Sequence, residues 1–506
     1  MDCKADCPER FDAVVVGGGL GGLSSAALLA KRGFRVILLE QHSNVGGYAS
    51  RFYRMAPDGD MFCFEASIHT IVGCEEGGAI RQVLRDVGAE GDVEFLDLKH
   101  GDMKVVASGK VLNLSTDLDE FVDMLAGQFP QERENIVRFF SDLSCIWDAL
   151  PPSLAKPLFD MPGGFDPHIE HLVHQQLGSV LSSRFSDRRI FLYLYLPISY
   201  AGLTIFEIDF LKYAVSLREF FKTRSYWISG GSQSLSDALA RAIVRQGGSV
   251  RTGCKVARIL LECGRVIGVE LESGKRILAS CVISNADATS TFLDMVGEEA
   301  LPSEFVHSLK EMTASLSYFQ VYLGLDESFK PPIELRNSFE ICIMNQSADR
   351  DEGYPFVGVT NYTLLDPSLA SGNKQILTIA IPMKIDGPED WGVSSFWERT
   401  EDYRVRKDAT SDELISIVEG VFPGLRDHIL VKEAATPLTF QRYTLNKNGS
   451  YLGFDSRFKR LPQKTPVKGL YLAGGWTEPH AGVMGVIISG RQAAEMVCDY
   501  IDGRGM

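Results

Sequence analysis

The stretch FDAVVVGGGLGGLSSAALLAKRGFRVILLEQHSNVGGYASR, residues 11–51, decides the fold of this chain. Its first apolar run, 13–16, predicts a buried parallel strand, and the Ala-rich run 23–32 predicts a helix after it. A second apolar run, 36–39, predicts the next strand, and Glu40 follows it directly. A strand, a helix and a second strand form one βαβ unit, so the sequence predicts a Rossmann-type α/β domain.

Three glycines in the turn between the first strand and the helix indicate what this unit binds. Gly17, Gly19 and Gly22 have G-x-G-x-x-G spacing. Gly17 allows the tight turn, Gly19 has no Cβ and lets a pyrophosphate approach the backbone, and Gly22 lets helix and strand pack closely. Glu40, about 20 residues further on, can accept hydrogen bonds from a ribose and disfavours a 2′-phosphate. The unit therefore predicts a dinucleotide site that disfavours NADP.

A second glycine pair follows the acid. Gly46 and Gly47 come shortly after Glu40, and Arg51 follows them. The arrangement resembles the extended motif of flavoproteins of the glutathione-reductase and amine-oxidase type, in which the pair lies near the pyrophosphate. The resemblance implies FAD as the cofactor and adds these three residues to the predicted cofactor-binding set.

Length, composition and charge bound the class of protein. A chain of 506 residues favours two domains over one, and 45% hydrophobic with 23% charged residues is a globular balance. The formal net charge is −15 without a dense Lys/Arg stripe, which argues against a nucleic-acid partner. The ten cysteines contain no C-x-x-C pair, so we expect free thiols in a reducing cytoplasm.

Histidines at helical spacing raise the question of a metal. His168, His171 and His174 follow one another at intervals of three residues, but no H-E-x-x-H motif is present. We therefore predict no metal site.

One uncharged run requires a comparison with membrane segments. Residues 190–206, IFLYLYLPISYAGLTIF, are at the short edge of spanning length, and a proline and a glycine interrupt them. We predict a buried helix and loop here, with a peripheral dip into one leaflet of a membrane as the alternative.

The remaining chain alternates between blocks of different pattern. Residues 75–223 predict helices, residues 226–287 return to α/β, 313–382 predict the strands of a second sheet, and the segments within 435–454 predict a loop with aromatic residues. We predict two domains, of which one binds FAD and the other, α+β in class, binds the substrate. The FAD-binding domain comprises residues 1–75, 226–290 and 455–506, and the substrate-binding domain comprises residues 76–225 and 291–454.

A second glycine-rich turn lies near the end of the chain, in GLYLAGGWTEPHAGVMGVIISGRQAAEMV, residues 469–497. Gly474 and Gly475 follow a predicted strand, and Gly482 precedes a predicted helix. The N–H groups and dipole of that helix would face the flavin and stabilise negative charge on its reduced form.

Taken together, the chain resembles the phytoene desaturase and carotenoid isomerase family of FAD enzymes, which includes retinol saturase-like proteins. The matching pieces span nearly the full length in the family's order: the 14–47 motif, YWISGGSQSLSDALA, GGSVRTGCKVARI, VISNAD and the 469–494 motif. The resemblance implies desaturation of an extended hydrophobic or polyene substrate, carotenoid- or isoprenoid-like, by hydride transfer to flavin N5. It implies that Val256 lies on the adenine side and that Gly482, Val483 and Val486 lie beside the isoalloxazine ring.

Three other functions remain open. These are a redox-neutral double-bond isomerase that uses reduced FAD, an amine-oxidase-like enzyme of secondary metabolism, and a flavin-free prenyl-protein chaperone of the same fold. The intact fingerprint argues against the chaperone. Two departures from the family concern the site: Gly475 stands where many relatives have an acid, and Glu65 with Ala66 replaces an acid–glycine pair.

Catalytic candidates follow the second glycine turn. Trp476 can pack on the flavin or a polyene, and Glu478 or His480 can take the proton that a carbon cation sheds after it loses hydride. Tyr443 and His69 are the rival candidates.

Overall fold

The computed structural model describes residues 8–98, 103–150, 167–344, 355–455, 457–479 and 482–503. Its strands are β1 (Glu9–Arg10), β2 (Ala13–Val16), β3 (Val36–Leu39), β4 (Arg51–Met55), β5 (Met61–Glu65), β6 (Phe95–Asp97), β7 (Met103–Ala107), β8 (Lys110–Leu114), β9 (Tyr226–Ile228), β10 (Ser249–Arg251), β11 (Val256–Glu262), β12 (Arg265–Leu271), β13 (Arg276–Leu278), β14 (Cys281–Ser284), β15 (Ser317–Leu325), β16 (Glu340–Met344), β17 (Phe356–Asn361), β18 (Gln375–Met383), β19 (Ile429–Ala435) and β20 (Leu470–Leu472).

The α-helices of the same ranges connect or flank these strands. They are α1 (Leu20–Lys31), α2 (Ala79–Asp86), α3 (Leu118–Gln128), α4 (Arg133–Ala149), α5 (Pro167–Val173), α6 (Leu177–Arg184), α7 (Ile190–Tyr195), α8 (Phe210–Lys222), α9 (Ser232–Arg245), α10 (Ser303–Glu311), α11 (Glu401–Glu419), α12 (Pro437–Thr444) and α13 (Gly482–Ile501).

A five-stranded parallel sheet of order β10-β3-β2-β14-β20 forms the first core. Successive side chains of a strand point to opposite faces, so Val15 and Val14 enter different clusters. Val15 packs under α1, α9 and α13, whereas Val14 packs against the antiparallel strands β11–β13. The domain therefore has three layers, with the parallel sheet between a layer of helices and the antiparallel strands. A sheet covered on both faces is what buried β-branched strands require.

A seven-stranded sheet of order β19-β15-β18-β17-β16-β7-β8 forms the second core. It is antiparallel except for the pair β16–β7. Helix α11 covers one face, where Leu414 packs with Val321. On the other face Tyr322 packs with Phe62 and Phe64 of the β4–β5 hairpin. This sheet therefore faces the hairpin that follows the first βαβ unit.

A helical cluster built from α3 to α8 carries the uncharged run 190–206. Ile190, Leu194 and Ile198 are buried in it, as the predicted helix and loop require. Within the ranges given above, no helix is both long and apolar enough to cross a membrane.

The architecture confirms the predicted fold class, an α/β Rossmann-type domain with a second α+β domain. The boundaries of the two domains stay a prediction. Two expectations were wrong. Residues 95–97 and 103–114 are not helical: the first form β6, and the second form the β7–β8 hairpin, whose turn, Ser108 and Gly109, has positive φ values of 49° and 73°. The segment expected as a loop after residue 435 contains α12, which Thr436 caps by accepting from the Thr439 N–H at 3.2 Å.

Candidate functional site

One cavity of about 1090 Å³ lies at the carboxyl ends of the parallel strands. Typical pockets for small ligands measure roughly 300–1,000 Å³, so this cavity is large enough for an extended molecule. Loops at the carboxyl ends of parallel strands are also where such sheets bind ligands. The predicted cofactor residues that line the cavity are Gly17, Gly19, Glu40, Gly46, Gly47, Arg51, Val256, Gly474, Gly475, Gly482, Val483 and Val486.

The turn from β2 into α1 forms the floor of the cavity. Gly17 has φ +94°, which only glycine adopts readily. Gly22 does not line the cavity, and a Cβ on it would lie 2.1 Å from the Gly17 carbonyl oxygen, so its role is close packing of helix and strand. Helix α1 begins after Gly19 without a side-chain cap. Its first N–H groups and positive dipole end therefore remain for an anion.

Glu40 is fixed at the edge of this floor by two backbone donors. Its Oε2 accepts from the Gly18 N–H at 2.7 Å, and its Oε1 accepts from the His42 N–H at 2.8 Å. Each carboxylate oxygen has a second lone pair, so both can still accept from ribose hydroxyls.

The second glycine pair packs directly on the first glycine turn. The Gly46 N–H donates to the Gly18 carbonyl at 2.7 Å, and a Cβ on Gly46 would lie 2.2 Å from the Ala49 carbonyl oxygen. Arg51 Nη1 donates to the Gly230 carbonyl at 2.6 Å and so holds β4 to the turn before α9. The pair closes one side of the floor, with Arg51 as the cation on that side.

Asn285, which the sequence reasoning did not single out, lies between the two glycine turns. A Cβ on Gly19 would lie 2.7 Å from Asn285 Nδ2, and one on Gly474 would lie 2.5 Å from Asn285 Oδ1. The side-chain amide of Asn285 forms no hydrogen bond with the described part of the chain, so it can bond a ligand, whereas its backbone N–H donates to the Val16 carbonyl at 2.8 Å. The sequence feature that could have indicated Asn285 is its position in VISNAD, directly after the strand that pairs with β2.

Asp287, also in VISNAD, connects the loop after β14 to the segment that follows α12. Its carboxylate accepts from the Ser290 N–H at 3.0 Å and from the Lys447 N–H at 2.9 Å. Burial raises the pKa of this carboxyl above its usual range.

The second glycine turn, after β20, meets the first one directly. Gly474 has φ +97°, and its N–H donates to Ser489 Oγ of α13 at 2.8 Å. A Cβ on Gly21 would lie 2.7 Å from the Gly474 nitrogen, so the first turn of α1 and this turn are in contact. The N-terminus of α13, with Val483, reaches the same cavity.

Aromatic side chains form the far wall. Tyr322 contacts Phe52 edge to face with ring centroids 5.0 Å apart, and its hydroxyl donates to the Ala66 carbonyl at 2.6 Å. Burial raises the pKa of Tyr322 well above its usual range, so it stays a neutral donor. The other aromatic residues of this wall are Tyr48, Phe440 and Tyr451. Flat apolar surfaces of this kind suit an extended apolar ligand.

The three predicted catalytic residues have different placements. Trp476 is 3% exposed, lines the cavity, and donates its indole N–H to Asn446 Oδ1 at 3.0 Å. Glu478 does not line the cavity. Its backbone N–H donates to the Leu461 carbonyl at 3.0 Å. His480 lies outside the described residues. The catalytic roles of all three stay predictions.

The two rival catalytic candidates, His69 and Tyr443, also differ in their position relative to the cavity. His69 Nδ1 lies 2.8 Å from Thr360 Oγ1, and burial lowers the pKa of the ring to about 4, so it is neutral at physiological pH. His69 is not part of the cavity wall, whereas Tyr443 lines the cavity near His42, with ring centroids 5.7 Å apart.

Glu65 lies behind the wall, next to α9. Its carboxylate accepts from the Ser232 N–H at 2.9 Å and from the Ser232 hydroxyl at 2.5 Å. Burial raises the pKa of Glu65 to about 7. Only Ala66 and Ile68 of this segment line the cavity, so the Glu65–Ala66 departure from the family's acid–glycine pair puts no carboxylate on the cavity wall.

The metal expectation concerns residues near α5. His174 Nε2 lies 3.3 Å from Glu170 Oε1 on an exposed face. Among the residues described, no three His, Cys, Asp or Glu side chains are placed to hold a metal ion.

The residues present fit FAD. The floor offers uncapped helix N–H groups to a diphosphate and leaves no room for a Cβ at Gly19, while Glu40 keeps lone pairs for a ribose. The cavity continues from Val256 past both glycine turns to the N-terminus of α13, the path that an elongated dinucleotide needs.

Comparison with known proteins agrees with this geometry. Prolycopene isomerase of Daucus carota is 28% identical over 97% of this chain and 80% of its own length. All-trans-retinol 13,14-reductase of Rattus norvegicus is 25% identical over 92% of this chain and 82% of its own length. The crystal structure of an oxidoreductase from Methanosarcina mazei superposes with a TM-score of 0.68 at 20% identity, covering 96% of this chain and all of that one.

A family model described as flavin containing amine oxidoreductase matches residues 20–498. That range contains Gly22 of the first glycine turn, the Glu40 site, the second glycine turn and the aromatic wall. The chain therefore belongs to the flavin-containing amine oxidoreductase family and is an FAD-dependent enzyme.

Proposed function

We propose that the enzyme acts on an extended hydrophobic substrate of the polyene class, carotenoid- or isoprenoid-like, and desaturates it. The observation that carries the proposal is the aromatic wall around Tyr322, which continues the same cavity beyond the two glycine turns. The names of the relatives, a prolycopene isomerase and a retinol reductase, support a polyene substrate.

The chain's own residues would prepare the reaction in three ways. FAD, when bound, accepts a hydride from a substrate carbon. Phe52 and Tyr322 present apolar faces that exclude water and hold a flat chain of carbons. Trp476, fixed by Asn446, would orient one face of the substrate, and the N-terminal dipole of α13 would favour negative charge at the reacting end.

Double-bond isomerisation is the second candidate, because the relative from Daucus carota is a prolycopene isomerase. It requires the same cavity and the same substrate class, with no net change in oxidation state. A peripheral contact of the protein with membranes, where such substrates dissolve, also remains a proposal, together with a cytoplasmic location.

An anaerobic binding and turnover experiment tests the substrate class. We expect purified protein to be yellow and its flavin band to bleach when a carotenoid precursor with saturated bonds is added. Reduced enzyme mixed with a cis-polyene tests the second candidate: a product of unchanged mass that differs from the starting polyene in retention and absorbance indicates an isomerase, whereas a gain of two hydrogens indicates reduction instead. Bleaching by putrescine or cyclohexylamine, with no response to any polyene, would overturn the proposal.

The proton acceptor is tested separately. We expect one of the two changes, His480→Ala or Glu478→Gln, to slow flavin reduction by substrate roughly a hundredfold or more, since a positioned general base contributes on the order of 10²–10⁴. Each variant is first checked for retained FAD by its absorbance. Glu304→Gln, an exposed change in α10, is the matched control. Wild-type rates in both variants would show that the base lies elsewhere or is solvent.

A further inference from the structure

Arg460 touches the second glycine turn from outside the cavity. Its Nη1 donates to the Leu452 carbonyl at 3.0 Å and to the Gly475 carbonyl. Gly475 belongs to the cavity wall and Arg460 does not, so the guanidinium lies one layer behind the wall. It ties together two loops, because the segment that follows Leu452 also reaches the cavity at Gly453.

The charge of Arg460 has no counter-charge in the described part of the chain. Both of its hydrogen-bond acceptors are neutral carbonyls, and burial lowers the pKa of the guanidinium to about 10. Arg457, three residues earlier, instead pairs with Asp455 at 2.6 Å. Arg460 is only partly exposed, so its cation loses part of its hydration without gaining a counter-charge, and an anion that arrives with a ligand would offset that cost.

Reduction of FAD supplies such an anion. Transfer of a hydride adds two electrons and one proton at N5 of the ring, and so leaves one negative charge on a ring that was neutral before. A fixed cation one layer away stabilises that charge in a medium of low dielectric constant. The N-terminus of α13 acts at the same end of the cavity with the same sign.

We propose that Arg460 is a positioning residue that raises the reduction potential of the bound flavin through its charge behind the Gly474–Gly475 turn. The inference rests on the proposed function in one respect, since it needs the reacting ring of FAD to lie beside this turn. It requires no particular substrate.

The test is the midpoint potential of the bound flavin, measured without substrate against a reference dye during slow reduction. In Arg460→Met, which keeps bulk and loses charge, we expect the ratio of reduced to oxidised flavin at a fixed potential to fall at least tenfold, which is about 30 mV for a two-electron couple. Arg460→Lys, which keeps the charge, should stay within about twofold. Lys459→Met removes an exposed charge one residue away and should change nothing.

Two outcomes overturn the proposal. An unchanged potential in Arg460→Met, with FAD affinity lowered equally in the Met and Lys variants, would mean that Arg460 only fastens the two loops. If the Met variant fails to bind FAD, Arg460→Lys is titrated to high pH. The titration stops near pH 9, where Arg460 with a pKa of about 10 keeps its charge while burial lets a lysine at this place lose it. The potential of the lysine variant must therefore fall more steeply with pH than that of the wild type, and identical pH profiles contradict the proposal. A negative polyene assay leaves this test unaffected, whereas wild-type protein unable to bind FAD would refute the proposed function instead.

Discussion

Gly19→Val should abolish FAD binding while the protein still folds. The first atom of the new side chain would lie 2.7 Å from Asn285 Nδ2, and the rest would occupy the floor where a diphosphate must approach the first N–H groups of α1. We expect the affinity for FAD to fall by at least about a hundredfold, or ~2.7 kcal/mol. The measurement is the flavin content of purified protein, followed by titration of the apoprotein with FAD.

The control for this change is Gly127→Val. Gly127 lies on an exposed position of α3 with open space around it, so the same substitution there should leave FAD content and affinity unchanged. Thermal unfolding of both apoproteins separates lost binding from lost folding. A Gly19→Val protein that is yellow and titrates like the wild type would show that the dinucleotide lies elsewhere.

Glu65 should make the stability of the protein fall as the pH rises. The folded state holds the proton of Glu65 up to a pKa of about 7, whereas the ordinary pKa of a glutamate is 4.5. The folded state therefore binds more protons, so the free energy of unfolding is highest below pH 4.5, decreases between pH 4.5 and 7, and is level above that. A shift of this size corresponds to on the order of 3 kcal/mol.

Glu65→Gln isolates this contribution. The amide stays neutral, and its oxygen can accept from the Ser232 N–H as the carboxyl does. Relative to the wild type, the variant should gain on the order of 3 kcal/mol in free energy of unfolding between pH 4.5 and pH 8, measured by urea titration. His69, which titrates in the opposite sense, is common to both proteins and cancels. Glu413→Gln on the exposed face of α11 should show no such gain, and parallel pH profiles for Glu65→Gln and wild type would contradict the assignment.

The parts of the fold that the sequence predicted well have strong local signals. The apolar run before Gly17 is a buried strand because four consecutive β-branched or small residues suit a sheet covered on both faces. Asp117 is a good N-cap, and its side chain accepts from the Glu120 N–H at 3.0 Å as the pattern requires. The fold class and the FAD cofactor could therefore be predicted from sequence and family resemblance.

Contacts between distant segments were not predictable in the same way. Strand β7 pairs with β16, more than two hundred residues later, and no local pattern indicates that partner. Asn285 is a single polar residue whose importance comes from two glycine turns that approach it from opposite ends of the chain. Glu65 stands where relatives carry an acid–glycine pair, but its carboxylate bonds Ser232 and lies off the cavity wall, which only the contact with α9 reveals.

The order of strands in the parallel sheet has a consequence for biosynthesis. Strand β14 pairs with β2 and with β20, two strands more than 450 residues apart in the sequence, so β20 is made long after β2. The cofactor floor is complete only when that final strand and its glycine turn are in place. A product that stops before β20 lacks this wall of the site, so we expect it to be a colourless protein without a cofactor to stabilise it.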